Sequence, residues 1–179
     1  MKRNLLILVC ALVWNTGVAQ DQHKIDSLKL VLQKADSDAA RCVVWYNLAT
    51  EYMDFNNDSA LYYIERQIAT AEKMDIKLAA VDGYDIKGYV LTNFGRKSEA
   101  FQLFRKALEM AGNPANETRY WNPEALGTPR EVRLVVLTQI HIFLGYLMGT
   151  TDSPEQPMAH YWEAERLARE AGNYKWLGL

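Results

Sequence analysis

The sequence predicts an all-α fold assembled from repeated helical hairpins. Small residues recur at fixed steps inside apolar helical patterns, the pattern copies itself along the chain, and hydroxyl-proline helix starts mark the joins. The clearest stretch is GYVLTNFGRKSEAFQLFRKALEMAGN, residues 88–113, with Gly88, Gly95, Ala100 and Ala107 set among large apolar side chains. Two antiparallel helices approach closely only where one of them lacks bulk. Gly88 and Ala100 are therefore predicted contact points, with Phe104 filling the groove between them. Gly95-Arg96-Lys97-Ser98 invites a phosphate-loop reading, which the spacing excludes: six residues separate Gly88 from Gly95 where the motif needs four, and Arg96 precedes the lysine.

The 179-residue chain suits one ordinary domain. With 20 Lys plus Arg against 22 Asp plus Glu, no sign of charge dominates, which argues against nucleic acid or an acidic membrane surface as partner. Residues 1–19 combine a basic start, an apolar run from Leu5 to Trp14 and a small-residue exit, the pattern of a secretory signal peptide cut after Ala19. The run is shorter than the about 20 apolar residues a bilayer span needs, so an uncleaved anchor is the lesser expectation, and the location expected is periplasmic or secreted. Cleavage removes Cys10 and leaves Cys42, among Val43, Val44 and Trp45, as a buried inert thiol without a disulfide partner.

In residues 20–36, Ile25, Leu28 and Leu32 recur at helical spacing in a charged segment, as in a short helix that caps the first repeat. The first hairpin, residues 37–75, carries Trp45, Leu48, Ala49 and Tyr52, then Ala60 and Ile64. The second, residues 76–112, carries Tyr84, Gly88 and Leu91, then Ala100, Phe104 and Ala107. Residues 113–130 form an insertion loop with three prolines and the exposed-looking pair Tyr120-Trp121, read as a loop pinned onto the array by its aromatics. Thr128-Pro129-Arg130-Glu131 and Ser153-Pro154-Glu155-Gln156 mark helix starts. The third hairpin, residues 131–173, holds Leu144, Gly145, Tyr161 and Ala164, and Gly145 stands as far from Ala164 as Gly88 does from Ala107. The apolar run Leu134 to Met148 is expected to be a buried first helix rather than a membrane span. Residues 174–179 open what would be a fourth, truncated repeat, so the chain is expected to be part of a longer protein or to have its end covered.

This spacing resembles the tetratricopeptide (TPR) repeat: an aromatic, a Leu-Gly pair, an aromatic, then Ala, aromatic and Ala on the second helix. The departures are Gln67 and Pro157 at alanine positions and Lys87 at a leucine position. The resemblance implies a right-handed α-solenoid of about three repeats whose first helices line a concave groove for an extended peptide or partner helix. Carried over by position, the groove would present Tyr46 and Thr50, then Asp82, Asp85, Tyr89 and Asn93, then Gln139, Ile142 and Tyr146. Family members that clamp a terminal carboxylate place lysine, arginine and asparagine there; aspartate and tyrosine imply instead a neutral or basic segment.

No catalytic residues and no cofactor are expected. His23, His141 and His160 lack metal-ligand spacing, no serine sits in a nucleophile elbow, and Asp82 with Asp85 is expected to form a solvated helix face. Signal peptide and repeats together resemble the periplasmic TPR input segments of Bacteroidetes-like sensor kinases and regulators. The alternatives are a free-standing periplasmic adaptor in envelope assembly and an enzyme with its site in the insertion.

Overall fold

The computed structural model describes residues 22–118, 121, 127–149 and 155–173. The leader, Tyr120, the Ser153-Pro154 start and residues 174–179 lie outside them. All regular structure among the described residues is helical. After α1 (residues 22–34) come α2 (Asp38–Tyr52), α3 (Asn57–Lys73), α4 (Lys77–Asn93), α5 (Lys97–Gly112), a 3-10 helix (Pro114–Thr118), α6 (Pro129–Gly149) and α7 (Glu155–Ala171). Each helix from α2 onward packs on the next, and the first helix α4 also touches the first helices α2 and α6: a solenoid of hairpins.

Local chemistry sets the ends. Ser37 caps α2 by accepting from the Ala40 amide, and Asn56 caps α3 by accepting from Ser59. At α6 the Thr128 hydroxyl accepts from the Glu131 amide at 3.3 Å while the Glu131 carboxylate accepts from the Thr128 amide at 2.6 Å, a complete capping box. Helices α3, α4 and α7 end alike. Residues Asp75, Gly95 and Gly172 adopt φ of 57°, 74° and 65°, and the amides of Ile76, Arg96 and Asn173 reach back to the carbonyls of Ala71, Leu91 and Ala168. Gly95 is thus a turn residue, not a contact point like Gly88.

The second helices bury one stripe each. On α3 it is Ala60, Ile64, Gln67 and Ala71; on α5, Ala100, Phe104, Ala107 and Ala111, at the same offsets. A β-carbon on Gly88 would lie 2.6 Å from Phe104, and one on Gly145 would lie 2.6 Å from Tyr161. Gln67, at an alanine position, is fully buried, and its amide donates to the Ala79 carbonyl at 2.7 Å. Gly83 makes room for it, since a β-carbon there would lie 2.2 Å from Gln67 Oε1.

At the N-terminal end Ile25 is fully buried, Leu28 and Leu32 pack on the core, and Lys24 pairs with Glu51. Cys42 is buried and donates its thiol to the Gln67 carbonyl, and burial pushes its pKa up to about 12, the state of an inert thiol. Helix α6 extends beyond its apolar run to 21 residues, long and apolar enough to cross a membrane by length and composition. Yet 67% of its most apolar window is buried against the rest of the protein.

Candidate functional site

Helix α4 lies between α2 and α6 and packs also on α3 and α5, so it is buried almost all round. That position decides the fate of the predicted groove, whose residues fall into a closed and an open end. Tyr46, Asp82, Asp85 and Gln139 are buried; Thr50, Tyr89 and Ile142 are half-buried; Asn93 and Tyr146 are exposed.

Trp121, from the insertion, closes the first end. It is buried, not exposed as its sequence setting suggested. Its indole N–H donates to Asp82 Oδ2 at 2.5 Å, and its ring meets Tyr46 edge-on at 5.8 Å between centroids. The 3-10 helix packs on α4, α5 and α6, and Arg133 of α6 holds it by pairing with Glu117 at 2.5 Å and donating to the Ala111 carbonyl at 3.2 Å. Asp82 and Asp85 are consequently not a solvated face, because the neighbouring first helices and the insertion exclude water from α4. Both carboxyl oxygens of Asp85 lack a hydrogen-bond partner. Burial first, then the charge of Asp82, drives its pKa well above the ordinary carboxylate range.

The open end is aromatic. Tyr89 lies 4.6 Å from Phe143 and 5.8 Å from Tyr146 between ring centroids, and its hydroxyl donates to Asp54 Oδ1 at 2.8 Å. Desolvation, and then the Asp54 hydrogen bond, raise the Tyr89 pKa, which keeps the phenol a donor. The Tyr146 hydroxyl donates to Asn93 Oδ1 at 3.4 Å, a long bond, and the Asn93 side chain also hydrogen-bonds Tyr89, which offsets part of the rise in the Tyr89 pKa. The Thr50 hydroxyl turns back to the Asn47 carbonyl of its own helix. Tyr89, Asn93 and Tyr146 therefore share one surface, and Tyr46 and Asp82 share another, beneath Trp121. Sequence reasoning missed Asp54 and Phe143. Asp54 continues the stripe of Tyr46 and Thr50 by one turn, and Phe143 stands beside Ile142 on α6, so extending both stripes finds them.

Away from the groove, a cleft of about 440 Å³ opens among α3, α4 and α5, but its cations Lys87, Arg96 and Lys106 are already paired with Glu65, Glu99 and Glu72. His141 and His160, unrelated by sequence spacing, meet with their Nδ1 atoms 2.9 Å apart. Among the described residues no group of three or more His, Cys, Asp or Glu side chains is placed to hold a metal ion.

The model of one family, described as the SusR N-terminal TPR domain, matches residues 16–122, more than half of the chain and including α1 through α5 and Trp121. No curated protein and no solved structure matches significantly.

Proposed function

The chain belongs to the SusR N-terminal TPR domain family, and on that premise we propose that its concave surface binds an extended segment of a partner protein at the open end of the groove. TPR domains are protein-interaction scaffolds and in general not catalytic. The observation that carries the finer reading is Tyr146, 45% exposed within the cluster that it forms with Tyr89 of α4 and Phe143 of α6. Exposed aromatic rings beside polar groups are ordinary anchors of protein interfaces. Asp54 supplies a carboxylate acceptor, so a neutral or basic segment suits this end better than a free carboxylate.

We further propose that the protein is exported and serves as the periplasmic sensory or interaction part of a signal-transduction protein. The basic-then-apolar start of residues 1–19 supports export, and the match to a domain of SusR, a regulator family, supports signalling.

The test of binding is partner capture from envelope extract with the wild type and with Tyr89→Ala, Tyr146→Ala and, as a control on α3, Tyr62→Ala. The same partner should be lost from the two groove variants and kept by the control; retention by all three would refute the groove. N-terminal sequencing of the protein from the envelope tests export, with Gln20 as the expected first residue and Met1 as the refuting one.

A further inference from the structure

Asp82 and Asp85 share a face of α4 one turn apart, within a groove read above as a binding surface, and the inference rests on that reading. Asp85 is fully buried, and neither of its carboxyl oxygens has a hydrogen-bond partner among the described residues. A buried carboxyl without a partner destabilises a protein, so its presence calls for a functional or structural reason. Asp82, beside it, receives a donor from Trp121, a residue delivered by the insertion rather than by the repeats. The indole is planar, offers one N–H and sits against the Tyr46 ring. A guanidinium is planar too, but carries five N–H donors in a fork that suits carboxylates, and it binds favourably to a tyrosine ring.

We propose that Trp121 stands in for an arginine side chain of a basic partner segment, which displaces the indole and binds Asp82 and Asp85 against Tyr46. Only a cation with several donors serves both acids; a second indole would leave Asp85 as it is. Entry of the guanidinium favours the ionised form of Asp85, so binding is linked to loss of whatever proton Asp85 carries. Affinity therefore rises with pH until Asp85 is already ionised in the free protein. Trp121 competes from within the chain, so the apparent affinity is the intrinsic one reduced by the fraction of molecules in which the indole occupies the site.

The test uses the protein labelled with ¹⁵N at its tryptophan indoles, the Trp121 signal being assigned by its loss in Trp121→Phe. The probe is a Gly-Gly-Arg-Gly-Gly peptide, and the control is the same peptide with citrulline, which is isosteric and uncharged. The arginine peptide should move or broaden the Trp121 signal and lose at least about tenfold in affinity in Asp82→Asn. Trp121→Phe, which keeps a ring against Tyr46 but removes the indole N–H, should bind the arginine peptide more tightly than the wild type. An unmoved Trp121 signal, equal binding of the citrulline peptide, or no gain in Trp121→Phe would overturn the proposal while leaving Tyr89- and Tyr146-dependent capture intact. If capture fails and the arginine peptide still displaces Trp121, this site stands and the open-end reading falls.

Discussion

A β-carbon placed on Gly88 would stand 2.6 Å from Cε1 of Phe104, a ring that is itself fully buried. Phe104 has nowhere to retreat, so Gly88→Ala should destabilise despite the roughly 1 kcal/mol gained in helix propensity, because overpacking costs about 1–3 kcal/mol. Gly145 makes the same approach to Tyr161, but Tyr161 is 38% exposed and can swing outward. Gly145→Ala should be near neutral. Urea denaturation of both variants checks the difference, and Gly88→Ala with Phe104→Leu should recover part of the loss.

Asp75 occupies the left-handed position after α3 that glycine holds after α4 and α7. A β-carbon there costs about 1 kcal/mol. Asp75→Gly should raise the melting temperature, its loss of the exposed pairing with Lys77 mattering little, and Gly95→Ala should lower it.

His141 and His160 both titrate below the ordinary histidine value of 6.5, His141 through burial and then its neighbour, His160 through burial. Glu163, which pairs with Arg166, is the acid facing the pair. As pH falls below 6.5 the unfolded chain takes up protons that the folded pair resists, so stability is full above that pH and declines toward the folded values. Denaturation midpoints should drop between pH 7 and pH 5, and His160→Gln should flatten the drop.

Asp85 acts with the opposite sign. Its raised pKa means that the folded state holds a proton the unfolded chain releases above pH 3.8, so its contribution is lost as pH rises from there through the folded value. Asp85→Asn should therefore stabilise the protein on the alkaline side of that transition and remove that part of the pH dependence. A loss of stability in this variant would show that the carboxylate is paired.

The hairpins were legible because close approach is written in residue type: Gly88, Ala100, Gly145 and Ala164 are small for a reason that acts within one hairpin. What was hidden depends on neighbours distant in the chain. The i,i+3 spacing of Asp82 and Asp85 says nothing of water; their burial follows from α4 lying between α2 and α6, and from Trp121 folding back onto Tyr46. The histidine pair follows once Gly145 is placed on Tyr161, since His141 and His160 then lie in neighbouring turns of the same hairpin. Gln67 looked like a defect of the first repeat, and only Gly83 on the next helix explains how it fits.

Photo-crosslinking from single benzoylphenylalanine residues tests the binding surface most directly, because it reports contact in the cell without disturbing the core. With the crosslinker at Tyr146, on the open end of the groove, a partner adduct should form, and with it at Tyr62 on α3, also half exposed, none should. Adducts at Tyr62 and none at Tyr146 would contradict a partner held by the inner face of the first helices.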